Sequence, residues 1–558
     1  MVITIIGQLA FSRSHHANYL QQAFSLFFKA DGLSSKANTL LNHLSITMSN
    51  TWQNELVDVL SDRQMERVRG VILHSPIFVS ADNVNIPFRV FSQRLHHKSS
   101  FQSGTAVTAY PMPGVKPFDG KEFREKARTA GNLEYEDLID IESGRRIHAQ
   151  KVYHVLRFLI DSPYFQDYPY RKHKEFDPPP PVRLIPAASG KPTEIWPLQT
   201  MHIDQASLEG NSEWLDNVLR RQLRFTSQEA KKRLANEIVL PIVGDELTAS
   251  RIQTLMRYRA KDDNGLARME YGAVVPGFFH VFITCGIMVF QNHGGTKRGR
   301  GINRDITLLQ RLRGKGGEGK SRWHDLKEVI EHTLEARCLR QWIKYSGGTS
   351  LDDLRRWEPQ PEELRKAAEE IVLEWASENV AGTGKPLAEK NSVMRTRNET
   401  LLLRDCLIFH ELLAAAKCGD VGRLVDLVPI LAQMFKAGGH AKYAVVMLEF
   451  AQHLKKEWPN NVRDAILDYC LLVNTSGKPN ACYPTDEAQE ITNGDIKNTY
   501  AAQGPNCTWE YLSKISPVIP LFREVKKMME KNFPCVITTK QHSVPNRDDD
   551  IAALVRAY

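Results

Sequence analysis

The stretch Glu237–Asp245 has the sequence EIVLPIVGD and leads directly into ELTASRIQTLMRYR. Its nearly continuous apolar character is typical of a strand that is covered on both faces of a sheet. The segment GDELTAS then turns the chain, with Thr248 as a candidate N-cap, and predicts a helix over Ala249–Arg259. This strand, turn and helix predict an α/β protein in which Asp245 ends a buried strand.

A second apolar run, VILHSPIFVSAD, ends in Asp82. It predicts a strand over Val71–Ala81, followed by strands over Ile86–Leu95 and Thr105–Tyr110. The middle segment alternates apolar and polar residues, as a half-solvated antiparallel strand does. The short connections predict a three-stranded meander with Asp82 at its first turn.

The chain of 558 residues is long enough for two to four domains. The most apolar stretch, Ala273–Phe290, contains Pro276 and is short for a membrane span, so it predicts a buried strand followed by a buried helix. The tail is expected to be frayed or to lie on the surface. The predicted organisation is a helical N-terminal region at 1–70, an α/β core at 71–280 with an irregular Pro-containing insertion at about 114–200, a helical insertion at 281–484, C-terminal helices completing the core at 485–531, and a tail at 532–558.

Composition limits the function classes. The chain is 42% hydrophobic and 25% charged, which indicates a globular rather than a disordered protein. A net charge of +8 would help a polyanion to approach, but many basic proteins bind no nucleic acid. None of the eight cysteines forms a Cys-x-x-Cys pair, which argues against a zinc ribbon and favours a reducing compartment.

A third acidic residue, Glu490, lies in TDEAQEITNGDIKN, a segment with a helical pattern. Two strand-end aspartates, Asp82 and Asp245, followed by a glutamate on a late helix match the order of carboxylates in ribonuclease-H-type nucleases. Such sites cluster acids so that Mg²⁺ or Mn²⁺ can bridge them to a phosphate. We expect the three residues to be both catalytic residues and metal ligands. Asn493 and Lys497 share the helix face of Glu490 and would position the phosphate, or else form polar surface.

Each acid also has a plainer interpretation. An aspartate after a strand often only closes a turn, and helical glutamates are usually solvated. His280, on an apolar stretch, is more often a core histidine than a ligand. Other acids compete for the same roles, namely Asp204 and Glu209 in HIDQASLEGN for the position of Asp82, and Asp486, Glu487 and Asp495 for that of Glu490.

The stretch NHGGTKRGRGINR, with QRLRGKGGEGKSR soon after it, is rich in glycine and strongly basic. It predicts a path for nucleic-acid phosphates, or else a surface loop without a ligand. It lacks the GxxxxGK[ST] spacing, so no nucleotide cofactor is implied. The candidate nucleic-acid-binding residues here are Lys297, Arg298, Arg300, Arg304, Arg311 and Arg313, with Lys497 beside Glu490.

The segment ANTLLNHLSITMSNTWQNELVDVL has helix-turn-helix character, with Ser49 and Asn50 as capping residues before a helix from Thr51. That helix would recognise DNA, or the pair would be an ordinary αα-hairpin that packs on its neighbours. The second interpretation is favoured because the helix carries more acid than base.

Several segments, among them SADNVNIPFRVFSQR, IVGDELTASRI, GDVGRLVDLVPILAQMFKAGGHAKYA and DEAQEITNGDIK, resemble a fungal family, domain of unknown function 6589. The resemblance extends from about Ser12 to Lys531. Such proteins look transposon-related, with a layout similar to DDE transposases in which a helical insertion separates the second and third acids. The resemblance therefore implies that Asp82, Asp245 and Glu490 form the triad. It also implies DNA as the partner and the nucleus as the location, the cytoplasm being the alternative.

These observations predict an α/β fold with a ribonuclease-H-like mixed-sheet core, a large all-helical insertion and a helical N-terminal region. The first functional hypothesis is a transposase-derived DNA-processing protein, active or decayed, that cleaves or transfers phosphodiester bonds with Mg²⁺ or Mn²⁺. The alternative is a non-catalytic scaffold that binds nucleic acid or protein and retains the fold. No membrane partner is expected, and homo-oligomer formation is left open.

Overall fold

A computed structural model describes residues 2–72, 75–88, 92, 94–96, 98–309, 323–376, 390–500, 508–533 and 546–558, with only the backbone for 390–396 and 500. The protein is a largely helical α/β structure around one five-stranded mixed sheet. Among the described residues, no helix combines the length and the apolar character that a membrane span requires.

The N-terminal region and the sheet contain the following elements in chain order. The helices are α1 Val2–Arg13, α2 Tyr19–Ala30, α3 Ser35–His43, α4 Asn50–Ile72, α5 Gly120–Thr129, α6 Tyr135–Leu138, α7 Ile141–Ile160, α8 Leu208–Asp216, α9 Gln228–Asn236, α10 Glu246–Tyr258 and α11 Phe278–His293. The strands are β1 Ile77–Phe88, β2 Ser100–Pro111, β3 Trp196–Pro197, β4 Leu240–Gly244 and β5 Gly272–Pro276.

The described residues after α11 are mostly helical. The helices are α12 Ile302–Leu308, α13 Trp323–Tyr345, α14 Leu351–Leu354, α15 Pro361–Trp375, α16 Lys390–Cys418, α17 Val421–Ala437, α18 Ala441–Gln452, α19 Asn460–Tyr469, α20 Thr485–Tyr500, α21 Trp509–Ile515, α22 Ile519–Asn532 and α23 Asp548–Ala557. A two-stranded ribbon, β6 Leu472–Val473 with β7 Tyr483–Pro484, precedes α20.

The strand order in the main sheet is β3-β2-β1-β4-β5. β1 is antiparallel to β2, and β2 is antiparallel to β3. β4 is parallel to both β1 and β5. The strands β1 and β4, which come from opposite ends of the predicted core, are therefore direct neighbours.

The predicted three-stranded meander is wrong in its details. Residues Ile86–Phe88, predicted to begin a second strand, continue β1, which pairs with β2 along its whole length from Ile77 to Phe88. The third antiparallel strand is instead β3, which pairs with β2 although a long stretch of chain separates the two in sequence. Asp82 is consequently in the middle of a strand opposite Ala106, and not at a turn as predicted.

The helix α11 connects the sheet to the helical part. It packs against α13, α16, α17 and α20, and its buried residues Phe278, Phe282 and Met288 join one apolar core that also includes strand residues such as Val243. Each fully buried large apolar side chain contributes about 1.5–3 kcal/mol, so this shared core makes the sheet and the helices mutually dependent. The predicted strand and helix within Ala273–Phe290 correspond to β5 and α11.

The expectation of a frayed or surface tail is wrong for its last residues. Helix α23 buries Ile551, Leu554 and Val555 and packs against α13 and α12. Its apolar face, which recurs at helical spacing, is part of the same core as α11.

Candidate acidic site on the central sheet

Asp82 and Asp245 lie beside each other on adjacent parallel strands. Ser80 of β1 is paired with Val243 of β4. Asp82 lies two residues after Ser80, and Asp245 lies two residues after Val243. Neighbouring strands are roughly 4.8 Å apart, and side chains two residues apart point to the same face. The parallel register therefore brings the two carboxylates to one face of the sheet, at the point where β4 ends.

The helix α20 crosses β1 on this face. Gln489 accepts a hydrogen bond from the Ser80 hydroxyl at 2.9 Å, and one turn later the Asn493 side-chain amide donates to Asp82 Oδ2 at 2.7 Å. Gln489 also donates to Asn493 Oδ1, which fixes the orientation of the second amide. These contacts hold Glu490, which lies between them in sequence and is half-buried, close to Asp82.

The charges of Glu490 and Asp245 both act on Asp82. Burial, the charge of Glu490 and the charge of Asp245 raise the pKa of Asp82 to about 7, although His280 and the Asn83 N–H act in the opposite direction. Mutual repulsion of this kind arises when carboxylates share one site. The structure thus brings Asp82, Asp245 and Glu490 together.

A histidine and a fourth acid adjoin the three. Asp486 accepts hydrogen bonds from the Phe279 and His280 N–H groups at the start of α11, and from His280 Nδ1 at 3.0 Å. Burial alone would lower the pKa of His280, but Asp486, Asp245 and Asp82 raise it to about 9. His280 is therefore a protonated partner of the acidic site at neutral pH.

The sequence offers little signal for this pair, because the two residues are 206 positions apart. The only available hint was that His280 follows a Pro-Gly pair after a buried strand, where a helix begins. Gly277 at this point is required by close approach, since a Cβ there would meet the Asp486 carboxylate.

Asp245 has a structural role in addition to its position in the site. It is the N-cap of α10, and its Oδ1 accepts from the Thr248 N–H at 2.7 Å. The predicted N-cap, Thr248, lies inside the helix, so the predicted start of α10 is three residues late. Aspartate is preferred at this position because its carboxylate satisfies an unpaired helix N–H and interacts favourably with the helix dipole.

The competing acids lie elsewhere or have other partners. Asp204 and Glu209 are exposed, and the Asp204 carboxylate accepts from the Ala206 N–H. Asp495 forms an ion pair with Arg523 at 2.7 Å. Burial, with the charge of Asp486, raises the pKa of Glu487 to about 7. Of the predicted alternatives for Glu490, Asp486 alone is hydrogen-bonded to another residue of the site.

Those predicted basic residues that the structure describes form no contact with these acids. Lys497 is exposed at the far end of α20, and Lys297 and Arg298 are exposed beyond the C-terminal end of α11. Arg300 pairs with Glu399 at 2.9 Å, and Arg304 donates to the Ala557 carbonyl. The predicted residues Arg311 and Arg313 lie outside the described residues.

The helix-turn-helix segment corresponds to α3 and α4, with the Ser49 hydroxyl accepting from the Trp52 N–H as a cap. One face of α4, including Val57 and Met65, is buried, and Asp58 pairs with Lys514 of α21. These contacts favour the interpretation as a packed αα-hairpin.

The donor chemistry of the acidic site suits a divalent cation, because Mg²⁺ and Mn²⁺ prefer carboxylate and amide oxygens. In the part of the chain that the structure describes, however, no group of three or more His, Cys, Asp and Glu side chains is arranged so that it could hold a metal ion. The raised pKa of Asp82 marks the excess negative charge that a bound cation would offset.

Replacing Asn493 by alanine is expected to destabilise the protein by about 1.5–3 kcal/mol at pH 8, because the Asp82 carboxylate loses its buried amide donor. Urea unfolding measures the change. Asn532→Ala is the matched control, since Asn532 is exposed and donates only within its own helix. Equal stability of the two variants would contradict the prediction.

The comparisons with known proteins identify a family. A model of a family of unknown function (DUF6589) matches residues 127–542, about three quarters of the chain, and the chain belongs to that family. The match includes Asp245 and Glu490 but begins after Asp82, so it is shorter than the resemblance seen in the sequence. No curated protein and no solved structure matches the chain.

Proposed function

We propose that this protein is a transposase-derived DNA-processing protein with a ribonuclease-H-like core, whose site at Asp82, Asp245 and Glu490 cleaves or transfers phosphodiester bonds with Mg²⁺ or Mn²⁺. The observation that carries the proposal is geometric. Asp82 on β1 and Asp245 directly after the adjacent parallel strand β4 lie beside α20, which carries Glu490 and whose Asn493 donates to Asp82. DNA is the proposed partner and the nucleus the proposed location.

The sheet supports this proposal. Three antiparallel strands followed by two parallel ones, in the order β3-β2-β1-β4-β5, are the arrangement that a ribonuclease-H-like core would have. Asp82 is on the central strand β1, Asp245 directly follows the adjacent strand β4, and a late helix brings Glu490 to the same face. The long helical segment between β5 and α20 separates the second acid from the third, as in the proposed transposase layout.

The residues of the site have separate tasks in this proposal. Asp82, Asp245 and Glu490 would hold the cations, while Asn493 orients Asp82 and the start of α10 orients Asp245. Bound divalent cations would activate the attacking water or 3′-hydroxyl and stabilise the leaving oxygen. Positions on strands and packed helices give the rigid geometry that such chemistry needs.

A second function, that of a non-catalytic scaffold binding nucleic acid or protein, is favoured by one observation. Burial and the charges of Glu490 and Asp245 raise the pKa of Asp82 to about 7, so its carboxyl group takes up a proton readily near neutral pH. A site that had lost its cations would relieve repulsion in this way, by taking up a proton.

The test is nicking of supercoiled plasmid by the full-length protein in Mg²⁺ or Mn²⁺, beside Asp245→Asn. The variant is expected to lose at least a hundredfold in rate, because one carboxylate ligand is gone. It should still fold, because asparagine caps helices about as well as aspartate. Agarose gel electrophoresis of the relaxed product measures the rate, with EDTA as the blank.

Asp119→Asn is the matched control, since Asp119 is an exposed N-cap aspartate of α5 outside the site. Its nicking rate should equal that of the wild type. Asp204→Asn tests the alternative ligand and should also be unaffected. Cleavage by Asp245→Asn at the wild-type rate would refute the catalytic proposal, and DNA binding without any cleavage would establish the scaffold.

A further inference from the structure

A second, chemically opposite site lies at the other end of α11. A cavity of about 1120 Å³ opens between the Gly-rich segment after α11 and the helices α13 and α16. It is lined by Lys344 and by six arginines, Arg298, Arg300, Arg304, Arg337, Arg340 and Arg404. Only three of these arginines belong to the predicted basic stretch, because the others lie on helices far away in sequence.

The carboxylates of the lining do not balance these cations. Glu399 and Asp405 are the acidic side chains among the described lining residues. Glu399 is already paired with Arg300 at 2.9 Å, and Asp405 with Arg404 at 2.7 Å and with His293 at 2.8 Å. The cavity therefore retains a considerable excess of positive charge.

Arg337 shows that this charge is built into the fold. Its side chain is only 9% exposed, and its guanidinium donates to the Arg300 carbonyl and lies over the Tyr558 ring at 4.2 Å. The closest carboxylate, Asp305, is 3.7 Å away, and Nε has no hydrogen-bond partner among the described residues. A buried cation that is so incompletely paired costs stability unless a ligand supplies the missing acceptors.

Arg340, one helical turn beyond Arg337, repeats the pattern. Its Nε is buried at the cavity and has no hydrogen-bond partner within the described part of the chain. Arg298, in the Gly-rich segment after α11, also lines the cavity and is exposed. Planar guanidinium groups that converge with unused N–H donors match the oxygens of phosphate in geometry as well as in charge.

The cavity is separate from the acidic site. His280 is in the first turn of α11 and His293 is its last residue, so the two sites are about 20 Å apart along the helix at 1.5 Å per residue. A cavity of this volume exceeds the need of a single ion and accommodates several phosphate groups.

We propose that the arginine-lined cavity at the C-terminal end of α11 binds a ligand that carries two or more phosphate groups. The phosphates come from a DNA backbone or from a free organic polyphosphate, and the chemistry of recognition is the same. Binding in this cavity requires no cleavage at the acidic site, so this proposal is tested independently of the proposed function.

Isothermal titration calorimetry of the full-length protein with sodium tripolyphosphate, at constant ionic strength, tests the site. Arg340→Gln and Arg298→Gln are each expected to weaken binding at least tenfold. Arg145→Gln is the control, because Arg145 is 72% exposed on α7 and makes the same change in net charge. Asp245→Asn should bind tripolyphosphate as the wild type does.

A 30-base-pair duplex, roughly three helical turns of DNA, is then added. If the duplex displaces the bound tripolyphosphate, DNA is the source of the phosphates. Retention of tripolyphosphate in excess duplex identifies a free polyphosphate. The proposal is overturned if the wild type does not bind tripolyphosphate, or if Arg298→Gln binds it as tightly as Arg145→Gln. Arg298 is exposed, so its variant decides the matter even if Arg340→Gln fails to fold.

Discussion

Replacement of Asp82 by asparagine is expected to stabilise the protein at pH 8 while abolishing any cleavage. The wild-type carboxylate is held among Glu490 and Asp245, and burial together with these charges raises its pKa to about 7. Asparagine has almost the same shape and can still accept from the Asn493 amide. The variant therefore removes the repulsion without removing the hydrogen bond.

The sign and size of the effect follow from proton linkage. A carboxyl pKa raised from 3.8 to about 7 means that the folded state holds the proton more tightly than the unfolded state. The penalty is therefore complete above about pH 7, decreases as the pH falls, and vanishes near pH 4. At 1.36 kcal/mol for each unit of pKa, its upper limit is about 4 kcal/mol.

Urea unfolding of wild type and Asp82→Asn at pH 4.5, 6 and 8 measures this dependence. The difference in unfolding free energy should grow with pH, whereas Asp204→Asn, an exposed acid, should show no such trend. Mn²⁺ should raise the melting temperature of the wild type much more than that of Asp82→Asn, because the variant lacks one ligand. A variant less stable than the wild type at pH 8 would contradict the electrostatic account.

A stabilising substitution at a site residue has a functional meaning. Natural proteins rarely keep a mutually repelling cluster of acids in a partly buried position unless activity or binding requires it. A gain of several kcal/mol on removal of Asp82 would thus favour a retained cation site. A scaffold that had lost its function would face no selection against the more stable asparagine.

The sequence predicted the surroundings of Asp245 well, because the necessary information is local. A continuous apolar run, a Gly-Asp turn and a helical pattern all fall within Glu237–Arg259, and the structure has β4 and α10 there. The pattern predicts Thr248 as the N-cap, whereas the structure has Asp245 there, since both residue types are good caps and only the backbone distinguishes them.

The surroundings of Asp82 depend on contacts between residues far apart in the sequence, which no local pattern indicates. Asp-Asn after an apolar run is typical of a turn, but here pairing with β2 carries the strand through both residues to Phe88. The third antiparallel strand, β3, is only two residues long and arrives from Trp196. Short strands paired over such a separation have no periodicity that a single sequence could reveal.

The arginine cavity illustrates the same limit. The basic stretch from Lys297 is visible in the sequence, but Arg337 and Arg340 are on α13 and Arg404 is on α16, far away along the chain. Their convergence depends on how α13 and α16 pack against α11. Composition could predict a positively charged segment there, but not a cavity.

The second large effect concerns the helical part. Replacing Glu411 of α16 by glutamine is expected to lower the free energy of unfolding of the protein by about 3–5 kcal/mol. Glu411 is 1% exposed, accepts from Arg423 Nε at 2.7 Å and from a second guanidinium nitrogen, and contacts His154 Nε2 at 2.6 Å. Burial alone would raise the pKa of Glu411, but the hydrogen bonds from His154 and Arg423 lower it, so the residue is charged in the fold.

His154 does not supply the balancing charge. Burial lowers the pKa of His154 to about 4, although Glu411 acts in the opposite direction, so the imidazole is neutral at pH 7 and donates its Nε2 proton. The buried charge of Glu411 is therefore balanced by Arg423, and Glu411→Gln leaves that guanidinium uncompensated between α16 and α17. The loss of stability comes from the unpaired Arg423 guanidinium and not from a change in the shape of the side chain at position 411.

Glu142→Gln is the matched control, because Glu142 pairs with Arg145 on the exposed face of α7 and the two side chains are 62% and 72% exposed. Exposed pairs of this kind contribute only about 0–1 kcal/mol. Chemical unfolding at pH 7 should separate the two variants by several kcal/mol. Equal stabilities would mean that water reaches Arg423 and that the helical core is looser than its burial indicates. Because α11 packs on α16, a loosened core would also disturb both the acidic site and the arginine cavity.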